Sequence, residues 1–188
     1  MSEFADSIRF IPLSGDVLLR DVDKLLLDDE EIMYIIDSRD DGVFKFDKSG
    51  NFIKQISRRG QGPGEYTEIS DFDIYDGKLL INDIYKQSYY TLNGEFIEDK
   101  KERHNVSLVW VNDTICDSSG AQSLSVFVNG NKKRYFKQVF TDNDLMYMHP
   151  FHLTKNGDEI YWEDCYNDTI YRIADGKPSL FYMLILVI

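Results

Sequence analysis

The segment Arg58-Arg59-Gly60-Gln61-Gly62-Pro63-Gly64-Glu65-Tyr66 contains three glycines and a proline in nine residues. Its glycines and proline exclude a helix and the interior of a strand, because glycine is too free and proline lacks the N–H group. We therefore predict a shaped loop with two guanidinium groups at its start. Similar series of short apolar segments lie on both sides, so the loop is predicted to join two copies of one structural unit.

The copy before the loop covers residues 22–57 and contains four short apolar segments separated by turns. Their spacing predicts strands at 24–27, 32–36, 43–46 and 52–56. Tight turns between successive strands predict an antiparallel meander. The second segment is apolar throughout, which indicates a strand buried on both faces.

The copy after the loop covers residues 69–103 and repeats this pattern. Its predicted strands are at 72–75, 78–83, 88–92 and 95–97. Gly50 of the first copy corresponds to Gly94 of the second, a displacement of 44 residues, and each is followed two residues later by a phenylalanine. A repeat of this length with four strands is the sequence signature of a propeller blade.

Two weaker copies follow at residues 105–140 and 149–188. Their predicted strands are at 106–111, 114–116, 124–128, 135–140, 151–153, 159–162, 169–173 and 180–188. We predict an all-β chain, a single partial β-propeller of about four four-stranded antiparallel blades over residues 1–188, with almost no helix. Residues 8–13 are predicted to be the outer strand of a closing blade, at a sheet edge because of Pro12.

The composition narrows the classes of partner. The chain has 188 residues and a formal net charge of −12, which argues against a nucleic-acid backbone or an anionic lipid surface. No apolar run is long enough for a transmembrane segment. The first residues lack the basic and apolar regions of an export signal. The chain is therefore expected to be cytoplasmic, or to be secreted and represented here without its leader.

Cysteines and histidines are few and weakly grouped. Cys116 and Cys165 are too few for a disulfide scaffold. One bridge between them is an alternative to two separate half-buried thiols, which we favour. His149 and His152 have no third ligand near them, and no Ser-His-Asp or Cys-His signature occurs. We predict no catalytic group, no metal and no cofactor.

Acidic and aromatic residues also allow two interpretations. The spacing of Asp37, Asp40 and Asp41 is not that of a calcium-binding loop, so aspartates of hairpin turns are expected. Trp110, Trp162 and the tyrosines are of the type that stacks on sugar rings. Aromatic residues at blade positions more often fill the space between sheets, and this is the interpretation we favour.

Four stretches carry a resemblance to a known family. They are Arg58-Arg59-Gly60-Gln61-Gly62-Pro63-Gly64-Glu65-Tyr66, Ile69-Ser70-Asp71-Phe72-Asp73-Ile74, Phe46-Asp47-Lys48-Ser49-Gly50-Asn51-Phe52-Ile53 and Asn167-Asp168-Thr169-Ile170-Tyr171-Arg172-Ile173. The chain resembles a family of six-bladed β-propellers, related to the NHL-repeat propellers, from gut Gram-negative anaerobes. The resemblance implies an exported protein of no assigned function, often a lipoprotein, with no catalytic residues to carry over.

The chain differs from that family in length, because members are about twice as long and only about four blades are visible here. Terminal strands would then lack neighbours, and residues 180–188 are apolar on both faces. The chain is expected to be a truncated piece, an early-terminated product or a half that pairs with a second copy. We favour a truncated piece that associates with itself through exposed terminal strands.

The glycine-rich loop has a structural and a functional interpretation. It is no phosphate cradle, because it lacks a Gly-Lys-Ser/Thr ending and does not lead into a helix. The structural interpretation is a crossover between blades. The functional interpretation places Arg58 and Arg59 at a channel mouth, where they hold a carboxylate or sulfate group, with Gln61, Glu65 and Tyr66 as further ligand contacts.

These expectations favour a non-enzymatic binding or scaffold module of an exported, periplasmic or cell-surface protein. Its ligand is expected to be a glycan or a peptide. The alternative is a metal-dependent hydrolase or lyase of the propeller type, with acidic residues that converge on the axis. The abundance of Asp and Glu leaves this alternative open.

Overall fold

The computed structural model of the chain describes residues 8–37, 42–101, 107–118, 124–135, 153–164 and 169–183. All regular elements in these ranges are β-strands. The described part therefore contains no helix of the length and apolarity needed to cross a membrane. The chain divides into two compact units, Met1–Gly60 and Gln61–Ile188, here called unit 1 and unit 2. The boundary lies inside the glycine-rich loop, and the single domain over residues 1–188 stays a prediction.

Unit 1 contains one antiparallel sheet with its four strands in sequence order. The strands are β1 (Val22–Leu27), β2 (Met33–Asp37), β3 (Gly42–Phe46) and β4 (Phe52–Ile56). Every residue of β2 and β3 is buried, as the apolar pattern predicts for strands covered on both faces. The rings of Phe44 and Phe46 lie 6.5 and 5.7 Å from the ring of Phe52, so this core is largely aromatic.

Unit 2 contains three antiparallel sheets, each again with four strands in sequence order. The second sheet of the chain consists of β5 (Ile69–Tyr75), β6 (Lys78–Asp83), β7 (Gln87–Thr91) and β8 (Phe96–Lys100). The third consists of β9 (Ser107–Val111), β10 (Thr114–Ser118), β11 (Leu124–Val128) and β12 (Asn131–Tyr135). The fourth consists of β13 (Leu153–Asn156), β14 (Glu159–Asp164), β15 (Thr169–Ala174) and β16 (Lys177–Met183).

The first strands of the three sheets in unit 2 lie beside one another, β5 next to β9 and β9 next to β13. Leu80 and Leu108 belong to a core shared by the second and third sheets. A larger cluster around Trp162 joins the third and fourth sheets. Successive meanders with adjacent first strands are the architecture of propeller blades. The predicted fold class, an all-β chain of four-stranded antiparallel propeller blades, is thereby confirmed.

Three hairpin turns in unit 2 determine where the next strand begins. The pairs Asp76-Gly77, Asn129-Gly130 and Asp175-Gly176 have φ angles between 50° and 76° at both central residues. This is the geometry of a two-residue type I′ turn, which matches the twist of the flanking strands. Because such a turn leaves no further loop residues, β12 starts at Asn131 and β16 at Lys177.

The predicted positions of three strands in unit 2 are therefore wrong. The fourth strands of the third and fourth copies begin before residues 135 and 180. The prediction placed their starts too late because it relied on apolar residues, and the first residues of these strands are mostly polar. The strand predicted to end at residue 153 continues to Asn156, because its polar last residues resemble the turn that follows. Residues 136–140, 151–152 and 184–188 lie outside the described residues.

Residues 8–13 do not form the predicted strand. Their backbone is irregular, and only Ser14 forms a parallel bridge, to Asn51. Pro12 has no N–H group to give to a ladder. Its carbonyl instead lies against Gly50, where an added Cβ would be 2.1 Å from the carbonyl oxygen. The segment covers a turn of the first sheet, and its place in a closing blade stays a prediction.

Three outer strands share an irregularity. In β4, β8 and β16 one residue is skipped in the pairing with the preceding strand, namely Ile53, Ile97 and Phe181. Such bulges twist an edge strand and make edge-to-edge pairing less favourable. The three side chains are 45%, 44% and 57% exposed.

Cys116 is a free thiol that is completely buried on β10. Burial, with the carboxylate of Asp117 as the smaller cause, raises the pKa of this thiol to about 12. The side chain is therefore a small apolar core residue. Cys165 lies outside the described residues.

Candidate functional site

The predicted ligand residues of the glycine-rich loop fall into two groups. Arg58 and Arg59 are exposed at the end of unit 1, whereas Gln61, Glu65 and Tyr66 belong to unit 2. Gln61 is exposed and Glu65 is half-buried, but Tyr66 is completely buried. The ring of Tyr66 is therefore part of a core. The binding role of the other four residues stays a prediction.

The part of the loop in unit 2 is held on the second sheet by an ion pair. The Lys86 ammonium donates to the Gly62 carbonyl at 3.1 Å and to Asp99 Oδ2 at 2.7 Å. The same Asp99 oxygen accepts the Gly64 N–H at 3.2 Å. Partial burial raises the pKa of Asp99, but the hydrogen bonds from Lys86, Ser88 and Gly64 outweigh it, so the pKa is lowered overall. The loop is thus held by two charged groups, each of which makes several hydrogen bonds.

Gly64 is the point of closest approach in this loop. It has φ 66°, and a Cβ on it would lie 2.6 Å from the ring of Phe96. The Tyr90 hydroxyl donates to its carbonyl. No other residue type fits this position without moving the ring and straining the backbone. These contacts give Gly64 a structural role within unit 2, and the crossover between blades stays a prediction.

Two buried aspartates connect β5 to β9. Asp71 Oδ2 accepts the Leu108 N–H at 2.7 Å, and Asp73 Oδ2 accepts the Trp110 N–H at 2.6 Å. Their other oxygens accept the N–H of the residue that follows each aspartate, at 2.8 Å. Both residues are at most 2% exposed. The two carboxylates thus accept N–H groups of β9 that a neighbouring strand would otherwise bind.

Lys155 extends this connection to a third strand. From β13, its ammonium donates to Asp73 Oδ1 at 2.7 Å, to the Ile74 carbonyl at 2.8 Å and to the Trp110 carbonyl at 3.2 Å. A lysine has three N–H protons to donate, so all are used here. The Lys155 side chain is 26% exposed and that of Asp73 is 2% exposed. The pair is a mostly buried link between β5, β9 and β13.

A further aspartate recurs at the end of the second strand of a sheet. Asp37 Oδ2 accepts the N–H groups of Arg20 and Asp21 at 2.5 and 3.2 Å. Asp83 Oδ2 accepts the Thr67 N–H at 2.5 Å. Asp117, the residue before the last one of β10, is also fully buried. Asp37 was predicted to be an aspartate of a hairpin turn; the missed signal is an aspartate at or next to the end of the second strand in the first three copies.

An open groove of about 260 Å³ lies between the second and third sheets. We call it the aromatic groove, and its lining residues are Tyr89, Lys100, Trp110, Asn112, Asp113, Ile115, Phe127, Asn129 and Gly130. The rings of Tyr89 and Trp110 meet edge to face, with centroids 5.6 Å apart. Lys100 Nζ lies 4.5 Å from the centroid of the Tyr89 ring. Aromatic rings, amides and charges here share one concave surface.

Trp110 is held more firmly than an ordinary surface tryptophan. Its N–H is bound by Asp73 and its carbonyl by Lys155. Its indole Nε1 donates to the Asn112 carbonyl at 3.0 Å. Trp162, the other tryptophan named as a stacking candidate, is completely buried and stacks on Tyr171 at 5.6 Å. Only Trp110 of the two therefore lies on a groove.

A second groove of about 470 Å³ lies between the third and fourth sheets. We call it the acidic groove, after its charged lining residues Asp113, Asp158, Glu159, Arg172 and Asp175. Arg172 Nη1 lies 2.9 Å from Glu159 Oε1. Asn112, Asp113 and Asn129 line both grooves. The two grooves therefore adjoin at the turns of the third sheet.

The last described strand carries an apolar surface. Four consecutive residues of β16, Leu180, Phe181, Tyr182 and Met183, are 48–61% exposed. The ring of Phe181 contacts Tyr161, with centroids 4.9 Å apart, beside a cavity of about 360 Å³. The outer strands β8 and β12 carry charged side chains instead.

The residues weighed as metal ligands give no cluster. In the part of the chain that the structure describes, no three potential ligand side chains come together. His149, His152, Asp40 and Asp41 lie outside that part. The carboxylates of Asp71 and Asp73 on β5 bind backbone N–H groups.

One comparison with known families gives a match. The profile described as “Domain of unknown function (DUF4934)” matches residues 1–186. No curated protein sequence matches significantly.

Several solved structures share the fold. A Bacteroides fragilis NCTC 9343 protein described as exported is 19% identical, with a TM-score of 0.76 over 94% of this chain and 55% of its own. Virginiamycin B lyase from Staphylococcus aureus is 13% identical, with a TM-score of 0.55 over 85% of this chain and 54% of its own. The extracellular domain of a one-component system from B. thetaiotaomicron is 15% identical, with a TM-score of 0.57 over 94% and 23%. The chain thus spans about half the length of the first two structures.

Proposed function

The chain belongs to the family described as domain of unknown function DUF4934, and from this premise we propose that it is an extracytoplasmic, non-enzymatic binding module. Its ligand, a glycan or a peptide, enters the aromatic groove at the turns of the third sheet. A rigid β-scaffold that presents turns and loops is a common basis for such binding.

One observation carries the proposal: Trp110 is held in place before any ligand arrives. Both backbone groups of this residue are bound by the Asp73–Lys155 pair, and its indole N–H is bound by the Asn112 carbonyl. A side chain already fixed in its bound position loses little entropy on binding. Such an aromatic residue in a concave groove is a typical anchor for a ligand.

The proposed location is supported by the structural neighbours. One of them is described as exported and another as an extracellular domain. These words apply to those proteins, and at 19% and 15% identity the likeness to this chain is one of fold. Six blades and a lipid anchor are further parts of this proposal.

A lyase also shares the fold, but within the described residues no three acidic, histidine or cysteine side chains come together to hold a metal. The buried acids of β5 are engaged with backbone N–H groups and with Lys155. We therefore propose no reaction.

Two further contacts belong to the proposal. Exposed Arg58 and Arg59 hold a carboxylate or sulfate group of a ligand, since two guanidinium groups suit such anions. Arg58→Ala and Arg59→Ala should each weaken binding of a carboxylate-bearing array ligand and leave binding of neutral ligands unaffected. Equal binding by the variants and the wild type would remove the arginines from the proposal.

The second contact is the apolar surface of β16, which holds a second copy of the chain.

The binding proposal is tested by screening the intact chain on glycan and peptide arrays. Trp110→Ala should abolish the positive signals, because the variant removes the fixed ring from the groove. Tyr85→Ala is the matched control, since Tyr85 is an aromatic residue of unit 2 that is 62% exposed and outside the groove. An absence of binding, or binding equally strong in Trp110→Ala, would contradict the proposal.

A further inference from the structure

We infer that the aromatic groove binds a neutral glycan, one sugar ring at a time, in preference to a peptide or an anionic polysaccharide. The inference rests on the proposed binding function and adds the chemical class of the ligand. It depends on three features of the groove: the carbon surface of Trp110, the polar groups at its rim that make no hydrogen bond to other described residues, and its charge.

The half-buried Trp110 ring presents carbon surface to the groove, because its polar atom is used inside the protein; the Tyr89 ring is only 6% exposed and packs against Trp110 edge to face. The Trp110 indole N–H donates to the Asn112 carbonyl at 3.0 Å, and the Tyr89 hydroxyl donates to Gln87 Oε1 at 3.0 Å. The C–H faces of a pyranose ring are apolar and suit such a surface. A sugar therefore gains contact with the Trp110 ring without displacing any of these hydrogen bonds.

The rim offers the polar groups that sugar hydroxyls need. The Tyr75 hydroxyl donates to Asn112 Oδ1 and thereby orients the amide. Within the described residues, the Asn112 amide nitrogen, the Asp113 carboxylate and the Asn129 side-chain amide make no hydrogen bond. Amide donors and carboxylate acceptors at adjacent positions match adjacent hydroxyl groups, each of which both donates and accepts.

The charge of the groove favours a neutral ligand. Lys100 and Asp113 are the charged residues among those that line it, and they balance each other. Lys100 is also 3.5 Å from Glu98. The chain as a whole has a formal net charge of −12, so an anionic polymer would be repelled at long range. An uncharged ligand avoids this cost.

A peptide fits the groove less well, because the edge of β9 that faces β5 is already occupied. Peptides that bind by strand addition pair with free backbone groups of an edge strand. On β9, the N–H groups of Leu108 and Trp110 are bound by Asp71 and Asp73. The Trp110 carbonyl accepts from Lys155. The groove is therefore suited to contacts with side chains or sugar rings, because these backbone groups of β9 are not available to pair with a peptide backbone.

The size of the groove sets the expected affinity. A volume of about 260 Å³ is just below the range of about 300–1,000 Å³ usual for sites that enclose a whole small molecule. One ring would enter while the rest of the glycan stays in solvent. A ligand of this size is expected to bind with a Kd of about 1 mM.

The test follows the two indole N–H signals of the full chain in ¹H–¹⁵N NMR spectra. The chain has two tryptophans, and Trp110→Phe assigns the signals. Neutral hexasaccharides of glucose, mannose, galactose and xylose are titrated separately, with oligogalacturonate as the anionic probe and uncharged hexapeptides as the peptide probe. At least one neutral sugar should shift the Trp110 signal in a saturable manner and leave that of buried Trp162 unchanged. Because Trp110→Ala lacks this signal, its binding is followed by the backbone N–H signals of Asn129 and Gly130, which line the groove. This variant should weaken binding at least about tenfold, whereas Tyr85→Ala should not.

Each other result overturns the inference in a distinguishable way. If only peptides shift the Trp110 signal, the ligand class is wrong while the proposed binding function stands. If oligogalacturonate binds as tightly as the best neutral sugar, the argument from charge is wrong. If no probe shifts the signal, both the inference and the proposed use of this groove fail. The wild-type spectra decide these cases even if Trp110→Ala does not fold.

Discussion

At the scale of single residues, buried charge organises unit 2. β9 has a paired strand on one side only, and on its other side carboxylates of β5 accept two of its N–H groups. An unbound buried N–H would cost about 1–3 kcal/mol. Asp73 serves the same purpose for Lys155, whose ammonium would otherwise be a largely buried charge without a partner. The aspartates and the lysine therefore depend on one another.

Lys155→Met is expected to destabilise the protein by about 3 kcal/mol, because it leaves the buried Asp73 carboxylate without its cation. Chemical denaturation measures the change. Lys100→Met is the matched control, since its pair with Glu98 is exposed and 3.5 Å long, and it should cost less than about 1 kcal/mol. Asp73→Asn combined with Lys155→Met should recover part of the loss. Equal effects of the two single lysine variants would show that the link is unimportant.

The ion pair of the glycine-rich loop predicts a pH dependence. The pKa of Asp99 is lowered from its usual value of 3.8, so folding favours its ionised form. Its contribution to the free energy of unfolding is therefore present above about pH 4 and is lost as the pH falls through the folded pKa. The stability difference between wild type and Asp99→Asn should shrink on acidification from pH 6 to pH 3. A constant difference over this range would contradict the role of this carboxylate.

At the scale of elements, Gly64 of the glycine-rich loop and Gly77 of the turn between β5 and β6 share a backbone conformation but differ in their surroundings. Gly64 and Gly77 both have positive φ, 66° and 68°, but only Gly64 approaches a side chain, the ring of Phe96. Gly77 has nothing within 4 Å of an added Cβ. The two positions therefore separate backbone strain from steric overlap.

Gly77→Ala is expected to cost about 1 kcal/mol, the price of a positive φ in a residue with a Cβ. Gly64→Ala should cost about 1–3 kcal/mol more, because the ring of Phe96 must also move. Thermal or chemical unfolding of both variants gives the comparison. If Gly64→Ala is no worse than Gly77→Ala, the close contact with Phe96 is not a constraint on the loop.

The strands show what a sequence pattern can predict and what it cannot. The apolar residues of β2 and the glycine-containing turns were sufficient to predict the antiparallel meander and the fold class. The start of β12 was not predictable from apolar residues, because Asn131 to Arg134 are polar and exposed. Its position follows from the turn at Asn129-Gly130, where both φ angles are positive. Turn geometry therefore locates an exposed outer strand better than hydrophobic alternation does.

The candidate site was predictable only in part for the same reason. Trp110 and Trp162 both lie in short strands of the repeat, and the same two interpretations applied to each of them. The difference arises from packing between sheets, which leaves Trp110 on a groove and buries Trp162 against Tyr171. Contacts between β5, β9 and β13 likewise join residues up to 82 positions apart. No local pattern in the sequence contains that information.

At the scale of the whole molecule, net charge and apolar surface act against each other. Two copies of a chain with a formal charge of −12 repel each other, and salt screens this repulsion. The exposed segment Leu180 to Met183 carries no charge of its own. Burial of one such large side chain contributes about 1.5–3 kcal/mol. Association through β16 should therefore become stronger with added salt, which distinguishes it from association through ion pairs.

Phe181→Lys tests this surface against a closely matched position. Phe181 and Ile97 are both exposed bulge residues of outer strands, but Ile97 is followed by Glu98, Asp99 and Lys100, whereas Phe181 lies within an apolar segment. Sedimentation equilibrium should show that the self-association of wild type and of Ile97→Lys becomes stronger as the NaCl concentration is raised from 50 to 500 mM. Phe181→Lys should weaken association at least about tenfold, since it places a charge in each copy of the contact. A monomeric wild-type protein at all salt concentrations, or equal weakening by both variants, would mean that β16 does not hold a second copy.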